Sequence, residues 1–291
     1  MRIINHISYC RLFTLLIALF GIFFSLSGYT ATPPSDERSR SLTLGVLPII
    51  STHKLIKRFA PMADYFGDKI GVPVTLETAP DYKTFITRTD NEKRYDIIFT
   101  APHFYYLAHQ KTNYRVIARI DAKNLVSVIV VPKNSEIITI EDLRHRSIST
   151  TDPLALNTVL FREHLLQAGL NPDTDVSLLA TPTHNASLIS AYKGVSDAAS
   201  LMIPPYKRAK KEVRRNMRIL ARTKGVPHMP FAVAPWVSQE MATKLEEILV
   251  NMGKTAEGKG IINSMRWPGI TKANDSDYDN MGWALKHLKL D

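Results

Sequence analysis

Histidine, cysteine and serine can act as catalytic bases, nucleophiles or metal ligands, and this sequence does not arrange them in a catalytic pattern. The 291 residues include nine histidines, none of them spaced as HxxxH or HExxH. The sequence also lacks a GxSxG nucleophile turn, a GxGxxG loop and a GxxxxGK(S/T) phosphate loop. With a single cysteine, Cys10, it offers no cysteine-based zinc site or iron–sulfur cluster. We therefore expect no enzymatic activity, no metal site and no cofactor.

Three of the histidines come directly after β-rich runs of sequence. They are His103, which has Tyr105 two residues further on, His184 and His228. Side chains at strand ends can meet along one edge of a sheet, so these residues are candidates for lining a cleft. A metal site built from the three histidines is an alternative, and solvated or structurally bonded imidazoles are the simpler interpretation.

The segments that would position these side chains alternate between short β-rich runs and helical patterns. We predict strands over Leu42–Leu47, Val72–Thr78, Tyr95–Thr100, Tyr114–Ile120, Val126–Val131, Val176–Ala180, Asp197–Ile203, Met217–Ala221 and Phe231–Ala234.

Helical patterns fill the intervals between these strands. The first runs from His53 to Ile70, where Pro61 is expected to kink the helix or start a new one. A second is expected over Pro153–Ala168, with Asp152 as its N-cap. Two more are predicted over Ser238–Met252 and Asp277–Leu288.

This alternation predicts an α/β fold with mostly parallel sheets that are covered by helices on both faces. Val126–Pro132 and Phe231–Pro235 are apolar, proline-ended segments that bracket about 100 residues with their own strands and helices. We predict one lobe from residues 42–130 plus 231–291, a second from residues 131–230, and a hinge of two crossing strands. Ligand would bind between the lobes, at strand ends and helix N-termini.

The N-terminal residues differ in composition from the rest of the chain. Arg2 and Arg11 precede the apolar run Leu12–Leu26, and no acidic residue occurs before Asp36. This pattern is typical of a secretory signal peptide over residues 1–31, followed by a tether over residues 32–41. An uncleaved membrane anchor is the alternative, because the uncharged stretch approaches the roughly 20 residues that span a bilayer.

The formal net charge of +10 suits an anionic ligand or an anionic membrane surface. Export argues against nucleic acid as the partner. The densest basic run, Lys207–Arg218, is interpreted as a solvated helix face with Val213 and Met217 on its apolar side.

Four segments, in this order, carry a family resemblance: Leu44–Pro48 (LGVLP), Ala79–Tyr82 (APDY), Ser147–Pro153 (SISTTDP) and Thr183–Ala199 (THNASLISAYKGVSDAA). The chain resembles the substrate-binding proteins of phosphate, phosphite and phosphonate ABC transporters. The similarity runs from about residue 42 to residue 288. It implies the two-lobe periplasmic binding protein fold and an anionic phosphorus group held between the lobes.

In that family a tyrosine, hydroxyls at a helix N-terminus and a histidine hold the ligand. The resemblance assigns these roles to Tyr82 and His184, whereas a ring packed on the core and an imidazole bonded only to backbone are the structural alternatives. Ala155 and Leu156 replace hydroxyl residues, so Asn157 and Thr158 are the polar candidates left in that segment.

The resemblance and the export pattern together imply a periplasmic, monomeric protein that captures a small phosphonate-like or phosphate-like ligand for an ABC permease. Met229 stands where amine-binding relatives carry an acid, so a less charged or bulkier ligand is also considered. The alternative function is a receptor that presents its closed form to a membrane signalling partner.

Overall fold

The computed structural model describes residues 41–288 and residue 290. The predicted signal peptide and nearly all of the predicted tether lie outside the described residues. Within the described part of the chain, no helix has the length and apolar character needed to cross a membrane.

One sheet in the described residues contains the strands β1 (Leu42–Val46), β2 (Val74–Thr78), β3 (Ile97–Phe99), β4 (Arg115–Ile120), β10 (Pro230–Val233) and β11 (Ile270–Lys272). The order of these six strands across this first sheet is β11-β4-β10-β3-β1-β2. Strand β1 lies parallel to β2 and β3, whereas β10 is antiparallel to both β3 and β4.

The second sheet contains the strands β5 (Ser127–Pro132), β6 (Ser147–Thr150), β7 (Ser177–Ala180), β8 (Ala198–Met202) and β9 (Met217–Arg222). The order of these five strands across the sheet is β7-β6-β8-β5-β9. Strand β6 lies parallel to β7 and β8, and β5 is antiparallel to β8 and β9.

The α/β class is confirmed, but the sheets are mixed rather than mostly parallel. Among the described strands, four pairings are parallel and five are antiparallel. Two of the antiparallel pairings arise because β10 returns from the second sheet and inserts between β3 and β4 in the opposite direction. Two more arise because β5 lies antiparallel to both β8 and β9, and the fifth is the pairing of β11 with β4. All nine predicted strands form, whereas β6 and β11 were not predicted as strands.

The helices are α1 (Thr52–Ile70), α2 (Tyr82–Asp90), α3 (Pro102–Thr112), α4 (Leu156–Gln167), α5 (His184–Tyr192), α6 (Ile203–Arg208), α7 (Lys211–Arg215), α8 (Gln239–Asn251) and α9 (Ala256–Met265). In the described part of the chain, 3-10 segments cover Glu141–Leu143, Met252–Lys254 and Asp275–His287.

Helix α1 passes through Pro61 without interruption, so the expected new helix does not form. Pro61 and Lys57, whose carbonyl loses its helical partner, are both exposed, which lets water take the place of the missing hydrogen bond. The helix ends as predicted, with Gly71 at a φ of 82°.

Helix α4 begins three residues later than predicted, at Leu156. Asp152 does not cap it, because the Asp152 carboxylate instead accepts a hydrogen bond from the backbone N–H of Leu154 at 2.7 Å. Residues 152–155 therefore form a turn between β6 and α4.

The basic run also differs from the prediction of one helix over Lys207–Arg218. It contains the end of α6, the short helix α7 and the start of β9. Val213 and Met217 are buried as expected, but Met217 is the first residue of strand β9 rather than part of a helix. The predicted final helix is the 3-10 segment Asp275–His287.

The buried apolar side chains show where the two sheets meet. Leu154 and Leu156 follow β6, and Met202 is the last residue of β8, yet all three belong to one continuous buried cluster with Phe104 and other side chains around the first sheet. The C-terminal segment adds a polar contact, because the Glu163 carboxylate of α4 accepts hydrogen bonds from Lys286 at 2.7 Å and His287 at 2.9 Å.

Candidate ligand cleft

Helix N-termini gather at the carboxyl edges of the parallel strands. In the second sheet, β6, β7 and β8 are followed by α4, α5 and α6, and in the first sheet β2 and β3 are followed by α2 and α3. Backbone N–H groups and the helix dipole make such an edge favourable for an anion. The edge is the expected place for a ligand cleft in an open α/β sheet.

His103, at the start of α3, connects the two sheets directly. Its side chain is fully buried, and its Nε2 lies 2.9 Å from the carbonyl oxygen of Leu154 in the turn after β6. Burial lowers the pKa of His103 to about 4, so the ring is neutral near pH 7 and Nε2 is the donor in this hydrogen bond. The Nδ1 of His103 is buried and has no partner within the described chain.

Tyr82, the first residue of α2, lies close to the same turn. The N-cap Asp81 accepts the Thr84 N–H at 2.7 Å, and the Tyr82 ring packs edge-on against Phe104 with 5.7 Å between centroids. Burial, together with the negative charge of Asp152, raises the pKa of Tyr82 to about 12. The charge of Asp152, in the turn after β6 of the second sheet, therefore acts on Tyr82 at the start of α2.

His184 begins α5 at the second sheet. The Thr183 hydroxyl caps this helix by accepting the Ala186 N–H at 3.1 Å. His184 is half-buried, and its Nδ1 has no partner within the described residues. Burial, followed by the positive charge of Arg208, lowers the pKa of His184 to about 4, which keeps the ring neutral near pH 7.

Tyr105 was predicted to line the cleft, and its position does not agree with that role. Its ring is buried against Tyr278, with 4.9 Å between centroids. Its hydroxyl donates to the Asp275 carboxylate and accepts the Val116 N–H at 3.0 Å. Both functions of the hydroxyl are therefore used inside the first lobe, and burial and Asp275 raise its pKa.

Asn157 and Thr158 also use their polar groups within the protein. The Asn157 side chain accepts the Thr151 hydroxyl at 2.5 Å and donates to the Ser200 carbonyl at 3.2 Å, while the Thr158 hydroxyl donates weakly to the Thr151 carbonyl at 3.4 Å. The two side chains are 1% and 2% exposed. This geometry favours a role in fixing the start of α4 rather than ligand contact.

His228 lies in the chain segment that returns from the second sheet to β10. Its Nδ1 accepts the Met229 N–H at 2.9 Å, and its carbonyl accepts the Tyr278 hydroxyl at 2.8 Å. Burial, with the nearby positive charge of Arg119, lowers the pKa of His228 to about 4. In the described part of the chain no group of three His, Cys, Asp or Glu residues could hold a metal ion, so the alternative of a three-histidine site gains no support.

Sequence reasoning missed two contributors to this region. Arg208 had been assigned to a solvated basic face, yet its charge acts on His184. The Leu154 carbonyl, which His103 contacts, has no signal in the sequence because a backbone group is the same for every residue type. Only the position of the turn after β6 identifies it.

Two α/β sheets with helix N-termini gathered at their facing strand ends define the class of periplasmic binding proteins. The fold is shared with PhnD1 from Prochlorococcus marinus in complex with methylphosphonate, at a TM-score of 0.71 and 20% identity, covering 85% of this chain and 99% of that one. A phosphonate transporter binding protein from Pseudomonas aeruginosa gives a TM-score of 0.70 at 18% identity, covering 82% of this chain and 83% of that chain.

The match to a protein family is more specific than the similarity of fold. Residues 44–278 match the family described as the periplasmic substrate-binding protein of phosphonate ABC transporters, and the chain belongs to that family. The phosphonates-binding periplasmic protein of Escherichia coli is 22% identical over 264 residues, which cover 87% of this chain and 78% of that protein. The resemblance drawn from the four sequence segments is thereby confirmed, and the family is one of transport proteins that work outside the inner membrane.

Proposed function

We propose that this protein captures a phosphonate or a related oxyanion between a lobe of residues 42–130 plus 231–291 and a lobe of residues 131–230, and delivers it to an ABC permease without chemical change. One observation supports this most strongly: within the described chain, the Tyr82 hydroxyl and the His184 Nδ1 have no hydrogen-bond partner, and they lie on helices that begin at the two facing edges. By contrast, Tyr105 and Asn157 have their polar groups satisfied.

The cleft is more apolar than an anion site requires. Leu154, Leu156 and Met202 are 8 to 9% exposed and pack with the first lobe. Met229 is half-buried against the same cluster. A ligand with an apolar substituent fits these walls, because burying apolar surface contributes about 25 cal/mol per Å².

The absence of hydroxyl side chains at the start of α4, where relatives in the family carry them, weakens the binding of an oxyanion. Ala155 and Leu156 offer no side-chain donor, and each unpaired buried oxygen costs about 1 to 3 kcal/mol, or roughly tenfold in affinity. We therefore propose an alkylphosphonate with an apolar substituent as the preferred ligand. In this proposal the protein is released from its signal peptide and acts as a monomer in the periplasm. The alternative to transport is that the protein is a receptor that presents its ligand-bound form to a membrane signalling partner.

Calorimetry tests this proposal with methylphosphonate, larger alkylphosphonates, phosphate and phosphite. Tyr82→Phe and His184→Gln are each expected to weaken phosphonate binding about tenfold. Tyr192→Phe is the matched control, because Tyr192 lies at the opposite end of α5 from His184 and its hydroxyl is bonded to Glu212. Equal binding by all three variants, or no binding of any oxyanion by the wild type, contradicts the proposal.

A further inference from the structure

Six basic residues gather at the edge of the second sheet that lies opposite the cleft. Strand β5 ends at this edge with Pro132, which pairs with Met217, the first residue of β9. Strands β6, β7 and β8 start at the same edge, since their carboxyl ends lie at the cleft. The bases follow β5 and α5 or lie in and directly before α7: Lys133, Lys193, Lys210, Lys211, Arg214 and Arg215. We call this surface the distal basic face.

Hydrogen bonds hold the segments of the distal basic face together. The N–H of Lys133 donates to the carbonyl of Asn216, directly after α7, at 2.8 Å. The hydroxyl of Tyr192, the last residue of α5, donates to the carboxylate of Glu212 in α7 at 3.2 Å. The open groove between these segments is lined by Pro132, Lys133, Asn134, Tyr192 and Asn216. The end of β5, the end of α5 and α7 therefore form one continuous surface.

The positive charge of the distal basic face is not neutralised by ion pairs. All six basic side chains are exposed, and none forms an ion pair within the described residues. The same segments contain two acids, Glu136 and Glu212. Six bases against two acids leave an excess of positive charge, which favours an anionic partner.

An exposed apolar side chain accompanies this charge. Val195 is 68% exposed. It follows Lys193 after a turn at Gly194, whose φ is 72°, and its N–H donates to the carbonyl of Ser190 at 2.9 Å. A hydrophilic polyanion would match the bases but leave this valine in water. Basic side chains beside exposed apolar ones are typical of surfaces that lie on anionic membranes.

We infer that the distal basic face binds the surface of an anionic phospholipid membrane, with the Lys and Arg side chains at the lipid phosphates and Val195 at the boundary with the acyl chains. Long basic side chains suit this position, because their stems lie along apolar surface while their charges stay at the headgroups. The cleft edge of the second sheet then points away from the lipid, so ligand can still enter. The inference goes beyond the proposed function and does not depend on which ligand the cleft takes.

Vesicle sedimentation tests the charge. Protein purified from the periplasm should bind vesicles of phosphatidylglycerol and phosphatidylcholine in equal parts and not vesicles of phosphatidylcholine alone. Sodium chloride at about 1 M, where the Debye length is about 3 Å, should release it. Replacing Lys210, Lys211 and Arg215 together with Gln should weaken binding about tenfold or more, because each basic residue near an anionic surface adds to the attraction.

The matched control replaces Lys54, Lys57 and Arg58 with Gln, which removes three exposed bases from α1. It should change vesicle binding by less than about twofold, because these bases lie outside the distal basic face. Equal binding by the two triple variants, or equal binding of wild type to neutral and anionic vesicles, overturns the inference.

A fluorophore reports whether Val195 meets the lipid. An environment-sensitive dye on Val195→Cys should shift its emission to the blue on anionic vesicles, whereas the same dye on Ile56→Cys, at an exposed position of α1, should not. Heparin, a polyanion without an apolar phase, should shift neither. No shift at residue 195 on vesicles that bind the protein, or binding to heparin without binding to vesicles, overturns the assignment of a lipid partner. Methylphosphonate affinity should be the same in the Lys210, Lys211 and Arg215 triple variant as in wild type, so failure of the proposed function leaves this inference standing.

Discussion

The imidazole Nε2 of His103 lies 2.9 Å from the carbonyl oxygen of Leu154, and this hydrogen bond joins the helix after β3 of the first sheet to the turn after β6 of the second. The donor is fully buried and Leu154 is 8% exposed, so water cannot readily replace either partner. Any separation of the sheets at this edge must break the bond. We therefore expect His103 to couple the arrangement of the sheets to the opening of the cleft.

We expect His103→Phe to favour an open arrangement, because the Leu154 carbonyl would lose its donor at a cost of about 1 to 3 kcal/mol. The radius of gyration from X-ray scattering should increase in the ligand-free variant, and ligand affinity should fall by about tenfold. The control is His109→Phe, which removes the bond from His109 Nδ1 to the Tyr114 carbonyl within the first lobe. The same radius of gyration in wild type and both variants would contradict this role.

Acidification should destabilise the protein through the same histidine. The pKa of His103 falls from 6.5 to about 4 on folding because burial disfavours the charged ring, so its stabilising contribution is present above pH 6.5 and is lost as the pH falls towards 4. The loss from this residue between pH 7 and pH 5 is about 2 kcal/mol. His103→Gln should reduce the difference in unfolding free energy measured by urea denaturation at these two pH values. An unchanged difference would show that His103 ionises as freely in the folded protein as in the unfolded chain.

Asp90 should have the opposite pH dependence. The Asp90 side chain is buried, its Oδ2 has no partner within the described residues, and burial raises its pKa to about 6 against the partial offset from Lys111. A raised pKa stabilises the folded state below pH 3.8, and this contribution is lost as the pH rises through 6. Asp90→Asn should therefore raise the unfolding free energy at pH 7, by up to about 3 kcal/mol, and change it little at pH 4.

Urea denaturation of Asp90→Asn at both pH values provides the measurement. Asp68→Asn is a suitable control, because Asp68 is an exposed carboxylate on α1. A variant of Asp90 that is equally destabilised at pH 7 and pH 4 would show that its carboxylate makes a required contact.

Aminoalkylphosphonates should bind more weakly than alkylphosphonates of the same length. Met229 provides no carboxylate for an ammonium group, and Leu156 presents an apolar wall, so an amine would be desolvated without a partner. Calorimetry should show at least a tenfold preference for ethylphosphonate over 2-aminoethylphosphonate, and Met229→Asp should narrow it. Nanomolar binding of the amine compound, undiminished by Tyr82→Ala or His184→Ala, would overturn the assignment of the pocket. Loss of that binding in Asp152→Asn would identify the Asp152 carboxylate as the amine partner.

The sequence by itself determined the α/β class, the nine predicted strands, and the positions of Tyr82 and His184 at the starts of α2 and α5. These features depend on local patterns: apolar runs, helical periodicity and the order of segments along the chain. The sequence did not predict the mixed strand directions. They depend on pairing between segments that are distant along the chain, such as the insertion of β10 between β3 and β4.

Only the tertiary structure decided which polar side chains are free. Tyr105 is satisfied by Asp275, Asn157 by Ser200, and the Nε2 of His103 by the carbonyl of Leu154, in each case across at least 40 residues of sequence, whereas the buried Nδ1 of His103 has no partner within the described residues. A side chain available to ligand and one already bonded look alike in a sequence, because the partner that distinguishes them is brought near by packing alone.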